Sequence, residues 1–374
     1  MPLTIVSIVG TRPDALKMAP VILALNQRPE QVRQVVISTG QHREMLQQVL
    51  DVFRIVPDHN LDIMQPGASL AQITARILER LDPLLEGLRP DILLAQGDTS
   101  TTCIASLAAF YRKIRVGHIE AGLRTDNRYD PFPEEINRRL TASLADYHFA
   151  PTEQAAENLR RENSPAERIF QVGNTVIDAL LEVAARPGRL GDPELDRLTA
   201  GPRRVVLVTA HRRENLGEPL RRICLGLRRL IRENPDIQIV FQLHKNPEVR
   251  RVVCEELAAE PQVALIEPQE YVPWVHLMRR STLILTDSGG IQEEAPALGK
   301  PVLVLRETTE RPEGVAAGTA RLVGTDPEVI RCEAGKLLHD PVAYQAMSRA
   351  TNPYGDGHSA ERICRILVDQ PSGG

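Results

Sequence analysis

The stretch Asp287-Ser288-Gly289-Gly290-Ile291-Gln292-Glu293-Glu294 decides the fold, because it lies between two short apolar runs, 282–286 and 301–305. Each run has the length and composition of a buried strand. Strand, glycine-rich turn, helix and strand together form the repeating unit of a parallel α/β sheet. Free backbone N–H groups of Ser288, Gly289 and Gly290 at the helix start would bind an anion such as a phosphate. An ordinary tight turn between strand and helix is the alternative interpretation.

Two arginines lie just beyond the second apolar run. Arg306 follows it directly, and Arg311 lies within the polar run 308–313. Open α/β sheets carry their ligand-binding groups at such strand ends. The two arginines therefore favour the anion site over the plain turn.

Strand-like and helix-like runs alternate over almost the whole chain, which predicts parallel sheets flanked by helices. A helix is predicted to begin at the capping box Ser69-Leu70-Ala71-Gln72. The predicted strands are 4–9, 34–39, 91–95, 114–118, 147–150, 169–172, 204–209, 238–243, 263–266, 282–286, 302–305 and 320–323.

At 374 residues the chain exceeds the size that one hydrophobic core usually serves, so we expect two domains. The proline- and glycine-rich stretch 186–202 is typical of a linker. It predicts a first domain over residues 1–185 and a second over 186–355. A glycine-rich break then precedes a last amphipathic helix. We expect this helix to cross back, so that residues 356–374 complete the first domain.

Composition narrows the class of protein. Hydrophobic residues make up 42% and charged residues 25% of the chain, as in an ordinary globular protein. No apolar run approaches the roughly 18 residues of a membrane helix, and the N-terminus lacks the pattern of a signal peptide. The net charge of −4 argues against a general nucleic-acid binder. The five cysteines form no C-x-x-C pair, which favours buried thiols in a reducing cytosol over metal ligands or disulfides.

A basic turn follows the first predicted strand. In Gly10-Thr11-Arg12-Pro13-Asp14-Ala15-Leu16-Lys17 the glycine permits the turn, and the proline suits the first position of a helix. Arg12 and Lys17 then lie beside the helix N-terminus, where they could face a phosphate or a carboxylate. A solvated basic turn is the alternative interpretation.

Acidic residues follow the strands of the first half. Asp98 comes after the strand that ends at 95, Glu120 comes after the next strand, and Glu134 opens the helix that follows. Each has a plainer alternative, since Asp98 could cap a helix and Glu134 could complement a helix dipole. Three acids at neighbouring strand ends are more typical of an acid/base site than of three separate caps.

The second half carries histidines at comparable places. His211 follows the strand 204–209, and His244 follows the next strand. Histidine titrates near neutral pH, although a loop hydrogen bonder fits His211 equally well. Because polar clusters follow strands in both halves, we expect the domains to face each other across a cleft and to act on a phosphorylated or nucleotide-linked substrate. The sequence contains no P-loop and no metal-ligand spacing.

Eight motifs occur together in the order typical of one family. They are Gly10-Thr11-Arg12-Pro13, Gly97-Asp98-Thr99, His118-Ile119-Glu120-Ala121-Gly122-Leu123-Arg124, Pro133-Glu134-Glu135, Gly173-Asn174-Thr175-Val176-Ile177-Asp178, His211-Arg212-Arg213-Glu214-Asn215, Asp287–Glu294 and Thr309-Glu310-Arg311-Pro312-Glu313. On these residues the chain closely resembles the bacterial non-hydrolysing UDP-N-acetylglucosamine 2-epimerases, from about residue 3 to about residue 368. The resemblance implies two Rossmann-like domains of the glycosyltransferase-B type, a homodimer and an active site in the cleft.

The resemblance also implies a reaction, the reversible conversion of UDP-N-acetylglucosamine to UDP-N-acetylmannosamine. UDP is eliminated to leave 2-acetamidoglucal and then adds back with the opposite configuration at C2, without a metal or nicotinamide cofactor. The enzyme would be cytoplasmic, and its product would supply the synthesis of cell-surface polysaccharide. The implied catalytic residues are Asp98, Glu120, Glu134 and His211. The implied UDP contacts are Arg12, Lys17, Ser288, Gly289, Gly290, Glu294 and Arg311, with Gln269 and Trp274 at the uracil.

A second binding site is implied as well. Many bacterial members of the family are activated by a second molecule of UDP-N-acetylglucosamine bound beside the first. Gln41, His42, Arg212 and His244 match parts of that site. The segment 64–68 carries no cation where some members have one, so the resemblance leaves regulation open.

Three other functions share parts of this pattern. A glycosyltransferase can share the fold and the UDP site, but it needs an acceptor site rather than three acids and a histidine. A hydrolysing epimerase would release free N-acetylmannosamine, and it often carries a fused kinase domain that 374 residues do not accommodate. A sensor would bind the nucleotide sugar without turnover, since fold alone does not fix function.

Overall fold

The computed structural model describes residues 2–40, 43–65 and 67–369 and divides the chain into two compact units. Unit 1 consists of Met1–Ala179 and Tyr354–Gly374, and unit 2 is Leu180–Pro353. The first boundary lies inside the helix Thr175–Ala185, a few residues before the predicted boundary after 185, and the second lies just before the predicted boundary after 355.

Helices and strands alternate along both units, as the sequence predicts. In chain order they are β1 (Leu3–Val9), α1 (Arg12–Asn26), β2 (Val32–Ser38), α2 (Arg43–Phe53), β3 (His59–Asn60), α3 (Leu70–Leu88), β4 (Ile92–Gln96), α4 (Ser100–Tyr111), β5 (Arg115–Ile119), α5 (Glu134–Leu144), β6 (Tyr147–Ala150), α6 (Glu153–Arg161), β7 (Ile169–Gln171), α7 (Thr175–Ala185), α8 (Pro193–Thr199), β8 (Arg204–Thr209), α9 (Glu218–Glu233), β9 (Ile237–Gln242), α10 (Pro247–Leu257), β10 (Val263–Ile266), α11 (Tyr271–Arg280), β11 (Leu283–Thr286), α12 (Gly289–Ala297), β12 (Val302–Val304), α13 (Pro312–Ala316), β13 (Ala320–Leu322), α14 (Pro327–His339), α15 (Pro341–Ser348) and α16 (Ser359–Asp369). Every predicted strand is present. β3 is absent from the prediction because a strand of two residues is too short to show an alternation of apolar and polar side chains.

Unit 1 is built on a seven-stranded parallel sheet in the order β3-β2-β1-β4-β5-β6-β7. Its central strands are buried on both faces because helices cover them, which explains their continuous apolar sequences. The strand order reverses between β1 and β4. The loops that follow these two strands therefore meet at the topological switch point, where open α/β sheets bind their ligands.

Unit 2 repeats this design with a six-stranded parallel sheet in the order β10-β9-β8-β11-β12-β13. Its strand order reverses between β8 and β11. Buried aliphatic side chains from β8, β9, α9 and α10 pack into one hydrophobic core. The loops after β8 and β11 lie at the switch point, and they carry His211 and the stretch Asp287–Glu294. The prediction of two parallel-sheet α/β domains is confirmed.

The last helix, α16, belongs to unit 1. Its Cys364 Sγ lies 3.7 Å from the carbonyl oxygen of Ala24 in α1. Asp178 Oδ1 accepts a hydrogen bond of 2.8 Å from Ala360 N, and Tyr354 O accepts one of 2.6 Å from Asn174 N. The chain thus returns to unit 1 after completing unit 2, as the sequence predicts.

Several local predictions need correction. The stretch 186–202, predicted as a linker, contains α8, whose Asp196 pairs with Arg280 at 2.6 Å. Cys254 and Cys332 are exposed, so the prediction of buried thiols is wrong for these two cysteines.

No helix within the described ranges is long and apolar enough to cross a membrane.

Gly10 serves a close approach rather than a turn. A Cβ atom at this position would lie 2.5 Å from Thr101 Oγ1, on the first turn of α4. Two such atoms cannot approach each other this closely, so only glycine lets α4 pack against the end of β1. The loop after β1 therefore lies directly against the start of α4.

Candidate active site

Two helices begin at the switch point of unit 1, and Asp14 joins them. Asp14 Oδ2 accepts a hydrogen bond from Thr11 N at 3.1 Å, and Thr11 Oγ1 accepts one from Asp14 N, which completes a capping box at α1. Thr99, the N-cap of α4, donates its hydroxyl to the same carboxylate oxygen at 3.3 Å. Burial raises the pKa of Asp14 to about 6. The starts of α1 and α4 are thereby fixed to each other.

Glu120 is held by three donors. Lys17 Nζ lies 2.5 Å and Asn174 Nδ2 lies 3.2 Å from Oε1, while Gln96 Nε2 lies 2.6 Å from Oε2. The backbone of Glu120 has φ of 63°, a left-handed conformation that disfavours a non-glycine residue by roughly 1–2 kcal/mol. The donors keep the carboxylate in one position despite this strain. Of the two anions predicted for Lys17, the structure places a carboxylate against it.

Asp98 is held by α5. Its Oδ2 pairs with Arg138 at 2.6 Å, and its carbonyl oxygen accepts a hydrogen bond from Asn137 Nδ2 at 3.0 Å. Burial raises the pKa of Asp98 above its ordinary value; Arg138 opposes this shift, and the negative charge of Glu120 adds to it. The alternative interpretation of Asp98 as a helix cap is wrong, because Thr99 caps α4.

The turn before Asp98 is fixed by β5. His118 Nε2 lies 2.7 Å from the carbonyl oxygen of Gly97, and Gly97 N donates to Ile119 O at 2.9 Å. His118 is fully buried, and this burial lowers its pKa to about 3. The ring is therefore neutral at physiological pH. Because a carbonyl oxygen can only accept, Nε2 carries the proton.

The two glutamates at the start of α5 differ in their surroundings. Glu135 is fully buried and accepts hydrogen bonds from Thr125 N at 3.1 Å and from Arg139 Nε at 2.8 Å. Glu134 is half-buried, and its charge contributes to the raised pKa of Asp98. Glu135 therefore braces the preceding loop, whereas Glu134 acts on Asp98 through its charge.

Asp287 organises the switch point of unit 2. Its Oδ2 accepts hydrogen bonds from His211 N at 2.7 Å, Arg212 N at 2.8 Å and Asn215 Nδ2 at 2.9 Å. Its Oδ1 lies 3.2 Å from His211 Nδ1. Asn215 Nδ2 also reaches the carbonyl oxygen of Leu305 at 3.0 Å. One buried carboxylate thus shapes the loop that carries His211.

The start of α12 lies below two arginines. A Cβ atom on Gly289 would lie 3.7 Å from Arg212 Nη2 and 3.9 Å from Arg311 Nη2. Arg311 forms an ion pair with Glu293 of the same helix. Ser288 N donates to Thr286 Oγ1 at 3.0 Å, so the prediction that this N–H group is free is wrong. Gly289 and Gly290 occupy the first helical positions, whose N–H groups have no intrahelical acceptor.

His211 is half-buried beside His244. The two rings are stacked, with centroids 5.1 Å apart and planes 15° apart. Burial lowers the pKa of His211, and the carboxylate of Asp287 opposes this shift. Arg212 and His244, predicted for a second nucleotide-sugar site, both lie around His211. Gln41 and His42, predicted for the same site, lie outside the described residues.

The residues predicted at the uracil lie at the start of α11. Gln269 N donates to Gln242 Oε1 at 3.0 Å, and Gln269 Nε2 donates to the carbonyl oxygen of Glu267 at 2.8 Å. Trp274 lies one turn into the helix and is half-buried. Glu294 Oε1 lies 4.0 Å from the position of a Cβ atom on Gly290. Within unit 1, Arg12 is half-buried at the start of α1.

Four side chains received no role from the sequence although the structure places them at these sites. Gln96 and Asn174 hold Glu120, Arg138 holds Asp98, and Asp287 holds the His211 loop. The signal for Gln96 is a polar residue inside a buried strand. Arg138 lies one helical turn after Glu134 on the same face of α5, so the position of Glu134 is the signal for Arg138.

Protein cations balance the acids of unit 1. Lys17 faces Glu120, and Arg138 faces Asp98. Within the ranges that the structure describes, no three His, Cys, Asp or Glu side chains are grouped so as to hold a metal ion. The arrangement is suited to proton transfer by carboxylates of fixed position.

Comparison with known proteins agrees with this geometry. A family model described as UDP-N-acetylglucosamine 2-epimerase matches residues 24–368. The UDP-N-acetylglucosamine 2-epimerase of Salmonella typhimurium strain LT2 is 54% identical over 368 residues, which cover 97% of this chain and 98% of that protein. A solved structure from Listeria monocytogenes has a TM-score of 0.93 at 46% identity, covering 98% of this chain and 96% of that chain.

A second solved structure is that of UDP-GlcNAc 2-epimerase from Neisseria meningitidis bound to UDP-GlcNAc. It has a TM-score of 0.82 at 49% identity, and the match covers 98% of this chain and 100% of that chain. The family model and the relatives agree over nearly the whole length. The chain therefore belongs to the UDP-N-acetylglucosamine 2-epimerase family.

Proposed function

We propose that the protein interconverts UDP-N-acetylglucosamine and UDP-N-acetylmannosamine by inverting C2. The observation that carries this proposal is the cluster of Asp98 and Glu120 with their cations Arg138 and Lys17, in a chain of this family. A hydrogen on a sugar carbon is weakly acidic, so a base of fixed position is needed to remove it. The relative from Neisseria meningitidis, whose structure is bound to UDP-GlcNAc, supports the substrate.

UDP binding is assigned to unit 2. The N–H groups at the start of α12 and the guanidinium of Arg311 offer positive charge to the diphosphate. By resemblance, Glu294 holds the ribose, Gln269 and Trp274 hold the uracil, and Arg12 of unit 1 contributes a cation. These donors would also stabilise the negative charge on departing UDP, which lowers the barrier to elimination.

Proton transfer is assigned to unit 1. A carboxylate takes the C2 proton, the electron pair of the C–H bond forms the C1=C2 double bond, and UDP leaves with the electrons of the C1–O bond. The reverse addition delivers a proton to the opposite face of C2. Burial raises the pKa of Asp98, which suits an acid that must exchange protons near neutral pH. Glu120, Glu134 and His211 complete the group by resemblance.

The finer properties follow the family. We propose a cytoplasmic homodimer that supplies activated N-acetylmannosamine for surface polysaccharide. Arg212 and His244 would bind a second UDP-N-acetylglucosamine as activator. Sedimentation velocity tests the dimer. Activation is tested in the reverse direction, with UDP-N-acetylmannosamine as the varied substrate: we expect added UDP-N-acetylglucosamine to turn a sigmoidal rate curve into a hyperbolic one.

Proton NMR of UDP-N-acetylglucosamine with the purified protein in D2O tests the reaction. The expected result is the manno epimer with deuterium at C2. Free N-acetylmannosamine and UDP would indicate a hydrolysing enzyme. Binding without any product would indicate a sensor, or a glycosyltransferase that awaits an acceptor.

A further inference from the structure

We propose that Asp287 is a positioning residue that keeps the ring proton of His211 on Nδ1, so that Nε2 presents its lone pair to the ligand. This inference rests on the proposed function, in which His211 acts on the nucleotide sugar. The carboxylate of Asp287 would then have two roles: it shapes the loop after β8, and it sets the tautomer of His211. Three observations lead to it.

The first observation concerns Asp287 Oδ2. Two backbone N–H groups and the amide of Asn215 donate to this atom, at 2.7, 2.8 and 2.9 Å. Backbone and amide N–H groups can only donate. The position of Oδ2 must therefore be occupied by an acceptor. An asparagine at this position would have to place its oxygen there and could not place its NH2 group there.

The second observation concerns Oδ1. Asp287 is completely buried, and within the described residues Oδ1 makes no hydrogen bond of good geometry. His211 Nδ1 lies 3.2 Å from it. A buried carboxylate oxygen left without a donor is unfavourable by about 1–3 kcal/mol. A small ring rotation removes this loss only if Nδ1 carries the proton.

The third observation concerns the charge and the surroundings of the His211 ring. Burial lowers the pKa of His211 below the ordinary value of 6.5, so the ring holds one proton near pH 7. The ring of His244 stacks on it at 5.1 Å. With its single proton on Nδ1, the ring has an unprotonated Nε2, which can accept a proton or a hydrogen bond from the ligand. The carboxylate of Asp287 would stabilise the imidazolium so formed.

The substitution Asp287→Asn reverses the tautomer without removing the loop contacts. The asparagine oxygen must take the place of Oδ2, because three N–H groups point there. Its NH2 group then occupies the place of Oδ1 and donates to Nδ1, which moves the ring proton to Nε2. We expect kcat to fall by about 10²–10⁴-fold, the usual effect of losing a positioned base. KM and UDP affinity should change less than about threefold, since α12 keeps its phosphate contacts.

The spectroscopic test uses 15N NMR of the His211 ring with and without UDP. We expect a protonated Nδ1 in the wild type and a protonated Nε2 in Asp287→Asn. The wild-type spectrum decides even if the variant does not fold, because a protonated Nε2 there would overturn the proposal. A variant with a switched tautomer and full turnover would overturn it too.

The matched control is Asp192→Asn. Asp192 is also a carboxylate of unit 2 that accepts two backbone N–H groups, from Glu194 at 2.8 Å and Leu195 at 3.2 Å. Its contacts within the described chain include no histidine. We expect wild-type turnover and a wild-type His211 spectrum. If the wild type itself does not epimerise, the proposed function fails, whereas the tautomer is still read from the spectrum.

Discussion

The switch points of the two sheets occupy the same place in the fold but carry opposite arrangements of charge. In unit 1 two carboxylates, Asp98 and Glu120, each face one cation at 2.5–2.6 Å. In unit 2 the buried carboxylate of Asp287 takes its hydrogen bonds from uncharged N–H groups. Two arginines, Arg212 and Arg311, then lie over the start of α12.

This difference teaches how one topology serves two kinds of chemistry. Parallel strands bring loop side chains together in both units, and the fold does not distinguish them. What differs is the position of the cations. In unit 1 they pair with the acids at the strand ends, whereas in unit 2 they lie beside the start of an anion-binding helix, where Arg311 also pairs with Glu293 of α12. Paired acids of fixed position suit proton transfer. A positive helix start suits a phosphate.

The largest effect is expected for the acids of unit 1. Glu120→Gln and Asp98→Asn preserve shape but remove a proton-accepting carboxylate, so turnover should fall by about 10²–10⁴-fold. UDP affinity should change little, since the phosphate contacts are assigned to unit 2. Deuterium incorporation at C2 measures the first quantity, and calorimetric titration with UDP measures the second.

Asp82→Asn is the control for the acid variants, because Asp82 is also ion-paired, with Arg112 at 2.6 Å, but lies on α3 away from the strand ends. It should keep wild-type exchange. If both acid variants also exchanged deuterium at the wild-type rate, the assignment of proton transfer to the acids of unit 1 would be wrong.

The next effect is expected at the anion site of unit 2. Arg311→Ala removes a guanidinium beside Gly289, and a charge-assisted contact contributes about 1.5–3 kcal/mol. We expect UDP to bind about ten- to a hundredfold more weakly, as measured by calorimetry. Arg321→Ala, which breaks another arginine–glutamate pair of unit 2, serves as control. Equal affinity in the two variants would show that Arg311 does not contact the phosphate of UDP.

A smaller effect, on stability, is expected at Asp14, a buried acid of unit 1 that accepts hydrogen bonds from Thr11 and Thr99. Its pKa is about 6 in the folded protein against an ordinary 3.8. Between these values the folded state keeps a proton that the unfolded chain has lost, so stability falls as pH rises. This group should lower the unfolding free energy by about 2 kcal/mol between pH 4.5 and 7.

Asp14→Asn should remove this part of the pH dependence, because an amide does not titrate and still accepts from Thr11 and Thr99. Denaturant unfolding at several pH values gives the comparison. A variant whose pH dependence equals that of the wild type would show that Asp14 does not titrate in this range.

The smallest effect is expected at His118, which fixes the turn before Asp98. His118→Phe removes the hydrogen bond to Gly97 O, and we expect turnover to fall by about tenfold through loss of one neutral hydrogen bond. His118→Gln should recover most of it, because its amide can donate to the same oxygen. His148→Phe is the matched control, since His148 is equally buried and pairs in register with His118. An equal loss in the control would reduce His118 to a packing role.

The fold could be predicted because its signals are local. Apolar runs of strand length, the capping box at Ser69 and the glycine-rich turn at Asp287–Glu294 each depend on neighbours in the chain. The structure confirms the strands and the helix start. β3 escapes prediction because its two residues are held by pairing with β2 alone.

The candidate site was predictable only in part. The motifs place Asp98, Glu120 and His211 at strand ends, and the structure finds them there. The pairings depend on packing between distant segments, such as Lys17 with Glu120 or Asp287 with the loop after β8. No local pattern reports such contacts. For the same reason the sequence predicts only that Lys17 faces a phosphate or a carboxylate, and does not single out Glu120.

The return of α16 to unit 1 has a consequence for how the protein is made. The ribosome completes Leu180–Pro353 before it releases the segment that carries Tyr354 and Ala360. Until then Asn174 N lacks its acceptor, Asp178 lacks one of its donors, and the face of α1 near Ala24 is uncovered. Unit 2 can therefore assume its final form during synthesis, whereas unit 1 begins first and is finished last. A fragment ending at Ala179 would reproduce the nascent intermediate rather than a folded domain.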